Sequence, residues 1–285
     1  MFSTIRHTFE LMKMSFGVLK KDKELLWFPV FSGIGVVAVI AIFFAIGSAT
    51  GALDRLSATS TDVDGQVTSA IQAGDLVLYA LAFFLVYFVT IFFNAALVSA
   101  ALERLRGGDP NVSSGLSHAF AHIHTILGWA IISASVGLIL QALKANQKNA
   151  FARIAIDMVG GIWEFMTFFV VPILVSENVG PFGAIKRSSG LVRKTWGRQI
   201  SANFGFFIVY IIAVLIAIVP AVLIGLVIPV AGMVVGLVTV SVAMSIVQSL
   251  EGIFKAALYE YALGERPQEF DLRVLQTAYK PAPAS

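Results

Sequence analysis

Two carboxylates lie within an otherwise apolar stretch near residues 155–176, and of all the side chains in the sequence they are the clearest candidates for chemistry. Asp157 and Glu164 are seven residues apart, so they lie on one face of a helix. A carboxylate near the bilayer centre costs roughly 2.5–3.5 kcal/mol and should face a partner, a water-filled cavity or another subunit. The pattern indicates a proton or cation site. The preferred alternative is structural, with Asp157 in the outer interface and Glu164 satisfied by a polar neighbour, for which the candidates are Asn94, Asn203 and Gln248.

Three histidines form a second cluster. His118 and His122 are four residues apart and share a helix face, but His124 points elsewhere and no adjacent carboxylate completes a metal site. We therefore expect histidines at the membrane interface and no metal or other cofactor. The chain has no cysteine, which excludes disulfides and thiolate ligands. No phosphate-binding loop, nucleophile elbow, dinucleotide fingerprint or zinc-protease helix is present, so we do not expect an enzyme.

The composition identifies the kind of element that carries these residues. The chain is 58% hydrophobic and 13% charged, against roughly 45–50% and 25% in soluble domains. Residues 25–53, 76–102 and 199–250 contain no Asp, Glu, Lys or Arg. A membrane-spanning helix needs roughly 20 apolar residues, so the last run supplies two spans. The chain is therefore expected to be an integral membrane protein.

The hydropathy pattern predicts an all-α polytopic bundle of six transmembrane helices. They are placed at 26–48, 76–101, 123–142, 155–176, 201–226 and 230–256, with a transmembrane domain over 1–264 and a tail over 265–285. Sixteen of the twenty lysines and arginines fall on the side of the two termini. The positive-inside bias puts that side in the cytoplasm. Orientation thus explains the net positive charge, and no nucleic-acid partner is needed.

Three related units are suggested by the ends of the even-numbered spans. Each ends in glutamate, then glycine, then proline, which favours helix termination; the glutamates are Glu103, Glu177 and Glu260. Amphipathic stretches near 2–20, 112–122 and 181–197 precede the odd-numbered spans. We predict three units, each an interfacial helix followed by a membrane hairpin. Three ordinary helix ends are the alternative.

The third amphipathic stretch is the most basic. Its polar face carries the expected lipid-binding residues Lys186, Arg187, Arg193 and Lys194. Each such residue in the headgroup layer gains roughly 1 kcal/mol from anionic lipid. The alternative is a collar, in which these helices pack mainly on the protein's own cytoplasmic surface.

Small residues form a possible contact face in the sixth span. Gly232 and Gly236 are spaced for close helix packing, and Gly47 and Gly51 repeat the spacing at the end of the first span. Packing within the chain and contact between copies in a homo-oligomer both remain open.

Residues 171–197 carry a recognisable pattern. It consists of V-P-x-x-V-x-E from Val171 to Glu177, G-P-x-x-A-x-K-R-S from Gly180 to Ser188, and the pair Trp196 and Gly197. This resembles a group of uncharacterised prokaryotic six-helix membrane proteins, which are similar to the membrane domain fused to some glycerophosphodiester phosphodiesterases. The resemblance implies a fold and a prokaryotic cytoplasmic membrane. It implies no activity, because this chain leaves no room for the hydrolase domain.

The expected function is a non-enzymatic scaffold or accessory protein that binds membrane lipids, as a homo-oligomer or within a larger complex. The alternative is a channel or transporter for a small solute or ion, and a lipid-modifying enzyme ranks third. Glu164 discriminates between the first two, since a scaffold seals it among neighbours and a transporter places it in a water-filled cavity.

Overall fold

A computed structural model describes residues 2–57, 59–61, 67–69, 71–145, 147–196 and 202–271, with side chains for 12–56, 71–145, 147–194 and 209–271. The described helices are α1 (Phe2–Lys21), α2 (Trp27–Ala49), α3 (Ala52–Ser57), α4 (Ala73–Leu105), α5 (Val112–Ala121), α6 (Ile123–Ala145), α7 (Ala150–Met166), α8 (Val170–Ser176), α9 (Pro181–Trp196), α10 (Ala202–Gly225) and α11 (Pro229–Leu263). A 3-10 turn, Lys23–Leu26, joins α1 to α2. The strands β1 (Thr59–Thr61) and β2 (Val67–Ser69) form a short antiparallel pair in which Thr59 lies opposite Ser69.

The predicted helical class and the membrane helices are confirmed. Among the described residues, five segments are long and apolar enough to cross a membrane: Lys23–Ala49, Ala73–Leu105, Ile123–Ala145, Ala150–Ser176 and Pro229–Leu263. The remaining predicted span corresponds to α10. The part of α10 whose side chains are described, Val209–Gly225, is apolar but shorter than the five segments above. The count of six and the cytoplasmic termini stay predictions.

Two spans continue well past their predicted ends. α4 has 33 residues and α11 has 35, so each is about 50 Å long and exceeds the roughly 30 Å hydrocarbon layer. The predicted ends, 101 and 256, stopped near the first charged side chains. Near the end of α11, Glu260 is paired across the bundle and accepts a 2.8 Å hydrogen bond from Arg106. We call the end of the bundle that carries Glu103, Glu177 and Glu260 the glutamate end.

The fourth span is interrupted. The single helix predicted at 155–176 starts earlier, at the Asn149 cap, and is divided into α7 and α8 by a turn at 167–169. Pro172 has no N–H to donate to the carbonyl of Phe168, and its ring crowds that carbonyl, which explains why the helix breaks there.

The buried core lies toward the glutamate end. It consists of the second half of α4, the second half of α11, α8, and side chains from α1, α6 and α9. In the opposite half of the bundle, large apolar side chains on α2, α7 and α11 are exposed, including Ile42, Phe44, Met158 and Leu237. Such exposed apolar surface on long apolar helices suits contact with lipid or with another subunit.

The amphipathic helices pack in a cyclic order. α5 packs against α4, α9 against α8, and α1 against α11, so each lies on the even-numbered span of the preceding unit. At two of these junctions the glutamate takes part. Glu103 accepts a hydrogen bond from Ser114 of α5 (2.9 Å), and Glu177 accepts one from Arg187 of α9 (3.1 Å). Three related units would produce this arrangement, while the headgroup position of these helices stays a prediction.

The start of the predicted tail is attached to the core. The backbone N–H of Gln268 donates to the carbonyl of Leu105 (2.9 Å), and the Phe270 side chain is buried. Lys21 pairs with Glu269 at 2.6 Å. Residues 268–271 therefore close the glutamate end between α1 and α4.

Candidate functional site

A basic groove lies between α9 and the end of α11. It is a cavity of about 440 Å³ lined by Lys186, Arg187, Leu191, Lys194 and Leu263, together with Gly183, Gly190 and Ala262. A second cavity of about 380 Å³ shares Lys194, Ala262 and Leu263 and extends to Arg266. The basic groove therefore combines four cationic side chains with an apolar floor.

The amphipathic pattern of α9 creates this groove. Ala184, Ser188 and Val192 are buried on one face, which leaves Lys186 and Lys194 exposed on the other. The Arg187 guanidinium is held by Glu177. Within the described residues, Lys186 and Lys194 have no acidic partner at ion-pair distance. Their charge is thus available to an anion.

The structure brings together three of the four predicted lipid-binding residues. Arg193 is exposed but does not line the groove. Arg266 lies beyond the end of α11, and sequence analysis did not place it near α9. The Gly264 cap, which takes a left-handed conformation with φ 92°, turns the chain back toward Lys194.

A polar cavity of about 470 Å³ lies where α4, α6, α7, α8, α10 and α11 meet. Its polar lining consists of Asn94, Glu164, Thr167, Tyr210, Glu251 and Lys255. The interruption after α7 contributes directly, because Thr167 and Phe168 of the turn face the cavity. Non-helical backbone at this depth is tolerated where it is buried in protein or lines a cavity.

Glu251 is the centre of a hydrogen-bond network in this cavity. Its carboxylate accepts from the Tyr210 hydroxyl (2.8 Å) and pairs with Lys255 (2.7 Å). The Lys255 ammonium also lies 5.4 Å from the centre of the Phe168 ring. Sequence analysis missed Glu251 because it directly follows the longest charge-free run. Its spacing of four residues from Lys255 was the available signal.

The two carboxylates predicted to act together lie in different surroundings. Asp157 pairs with Lys144 of α6 on an exposed surface, away from the polar cavity. Glu164 lines the polar cavity with Asn94, one of its three expected partners. Gln248 is not part of the lining, and Asn203 falls outside the described side chains. No described side chain forms a hydrogen bond or ion pair with the Glu164 carboxylate.

The family is shown by a match over most of the chain. A family model described as "Family of unknown function (DUF6159)" matches residues 72–268. The chain belongs to this family. No curated protein and no solved structure matches it. The match agrees with the predicted relation to an uncharacterised family and contains no link to phosphodiesterase membrane domains.

Both candidate sites fall within the residues that the DUF6159 model matches.

The three histidines of the predicted cluster also lie there. The His122 ring lies 2.8 Å from the backbone carbonyl of His118, and the His118 side chain lines a different cavity, beside Glu103. Across the described residues no three metal-ligating side chains come together.

The small residues of the sixth span face the fifth. Gly232 is buried so closely against Gly225 and the carbonyl of Ala221 that a methyl group there would overlap both. A methyl group at Gly236 would lie 3.0 Å from the Ala221 side chain. In this DUF6159 chain these glycines therefore pack α11 against α10, rather than facing a second copy.

Proposed function

We propose that this protein is a non-enzymatic scaffold or accessory protein of a prokaryotic cytoplasmic membrane that binds anionic lipid in the basic groove. The observation that carries the proposal is the pair Lys186 and Lys194, which lie exposed beside an apolar floor and have no acidic partner among the described residues. A lipid headgroup supplies an anion and an acyl chain at the same place, which is the combination that this surface suits.

The orientation of the chain supports the same function. In the six-helix arrangement, with α10 as a span, the glutamate end lies on the side that holds sixteen lysines and arginines. That side is cytoplasmic by the positive-inside bias, and anionic lipids give the cytoplasmic leaflet its negative surface potential. The basic groove then opens where such lipids are present.

Assembly into a homo-oligomer or a larger membrane complex is part of the proposal. Support comes from the large exposed apolar side chains of α10 and α11 in the half opposite the glutamate end, such as Leu223, Val234 and Leu237. Contiguous apolar surface of this kind marks contacts with lipid or protein.

The test is lipid retention measured by native mass spectrometry of protein purified with phosphatidylglycerol. The groove variant carries Lys186→Gln, Lys194→Gln and Arg266→Gln. At roughly 1 kcal/mol for each charge, it should bind this lipid on the order of 100-fold more weakly. The control variant carries Lys13→Gln, Lys20→Gln and Lys23→Gln, which remove the same charge from exposed positions outside the groove. It should retain nearly all the lipid. Equal retention in the two variants would contradict a defined lipid site.

A channel or transporter is the second candidate. It is favoured by the polar cavity around Glu164, whose side chain is exposed and is not sealed by a polar neighbour among the described residues. Two observations weigh against it. Val98 and Phe254 line the cavity and are buried, and the residues one turn further toward the glutamate end, Leu102 and Leu258, are buried as well. The cavity is closed on that side, so transport would require the core of the bundle to open.

A further inference from the structure

The polar cavity contains an unbalanced charge. Of its three ionisable groups with full charges, Glu251 and Lys255 neutralise each other at 2.7 Å, and Tyr210 adds a hydrogen bond to the same carboxylate. Glu164 has no such partner among the described side chains, and its side chain is exposed. The cavity therefore carries one net negative charge within a segment that is long and apolar enough to span the membrane. A carboxylate in such a segment should face a partner, a water-filled cavity or another subunit, and an incoming cation would supply the partner that the described side chains do not.

The remaining walls indicate which cation fits. The polar cavity has a volume of about 470 Å³, within the roughly 300–1,000 Å³ typical of sites for organic ligands. Trp129 provides an aromatic lining, and Val98, Val171 and Pro172 provide an apolar one. Hard metal ions prefer a close shell of six or more oxygens, which this mixed lining does not offer. Aromatic rings and a single carboxylate are the surroundings in which proteins bind organic ammonium groups.

We propose that the polar cavity binds an ammonium group of an organic molecule, with Glu164 as its counter-charge and the Asn94 amide oxygen as an acceptor. The ammonium group comes from the ethanolamine headgroup of a membrane lipid or from a free amine in solution. The proposal does not depend on the basic groove, which is lined by different residues of α9 and α11.

The experiment measures the melting temperature and tryptophan fluorescence of the full chain in detergent. The probes are ethanolamine, dihexanoylphosphatidylethanolamine, N-acetylethanolamine and sodium chloride at matched ionic strength. An ethanolamine-bearing probe should raise the melting temperature and change the total tryptophan fluorescence, because Trp129 lines the cavity. N-acetylethanolamine, which has the same hydroxyl but no positive charge, should do neither.

Three variants identify the counter-charge. Glu164→Gln should weaken binding at least tenfold, and Glu164→Asp, which retains the charge, should bind within a few-fold of wild type. The matched control is Asp157→Asn, which makes the same chemical change on the same helix in a surface ion pair outside the cavity. It should bind like wild type.

The outcomes separate the possibilities. Binding of the lipid probe alone assigns the headgroup as the source, and binding of both probes assigns a free amine, so either supports the site. Equal binding by wild type and Glu164→Gln would overturn the proposal, as would equal binding of N-acetylethanolamine. Protection by sodium ions alone would overturn the ammonium assignment.

Discussion

Ser188 of α9 completes the hydrogen bonding of Phe169, the residue at which the fourth span resumes after its interruption. The Ser188 hydroxyl accepts from the Phe169 amide at 3.0 Å and donates to the carbonyl of Met166 at 2.8 Å. Both groups would have intrahelical partners if α7 and α8 were continuous. Ser188 is fully buried, so water cannot replace it. One hydroxyl therefore stabilises the break and fixes α9 against it.

The first prediction follows from this contact. Ser188→Ala should lower the free energy of unfolding by about 1–3 kcal/mol, because the buried amide of Phe169 and the partly buried carbonyl of Met166 lose their partner. Thermal unfolding in detergent measures the effect. Ser189→Ala is the matched control, since the Ser189 hydroxyl bonds only within α9, to the carbonyl of Lys186 at 2.9 Å. A melting temperature for Ser188→Ala equal to that of the control would show that the hydroxyl is not needed at the break.

The second prediction compares two glycines of the amphipathic helices. Gly115 of α5 is buried, and a methyl group there would lie 2.5 Å from the Phe28 ring and 2.8 Å from the carbonyl oxygen of Ala96. Gly115→Ala should therefore destabilise the protein by about 1–2 kcal/mol, since overpacking exceeds the gain in helix propensity. The reporter is the melting temperature in detergent.

Gly17 of α1 provides the opposite case. It is exposed, and a methyl group there would meet no atom within 4 Å. Gly17→Ala should stabilise the protein by about 0.5–1 kcal/mol through helix propensity alone. The same sign for both substitutions would contradict the close packing of α5 on α4.

The helices were largely predictable because long charge-free runs leave few alternatives in a membrane protein. The bounds of α2 and α6 differ from the predicted spans by at most three residues at either end. The ends of α4 and α11 were not predictable, because charges normally mark the edge of a span. Here Glu260 is 4% exposed and pairs with Arg106, a contact between residues distant in sequence.

The candidate sites were predictable only in part, because they also combine residues that are distant in sequence. The periodicity of α9 alone placed Lys186 and Lys194 on one face, and in the structure both line the basic groove. The groove also needs the end of α11, and the polar cavity joins Glu164 to Glu251 from helices that sequence periodicity cannot align. The break at 167–169 had a local signal in Pro172, but the partner that satisfies it lies in α9.

The proposed lipid site requires the glutamate end to lie at the cytoplasmic surface, and cysteine labelling tests this position directly. The chain has no cysteine, so each single-cysteine variant reports one position. In intact cells a membrane-impermeant maleimide should label Ala150→Cys and Val227→Cys, at the end of the bundle opposite the glutamate end. It should label Asn178→Cys and Glu265→Cys only after the membrane is permeabilised. All four positions are exposed. Labelling of Asn178→Cys in intact cells would place the basic groove on the outer side of the membrane and contradict the proposed function.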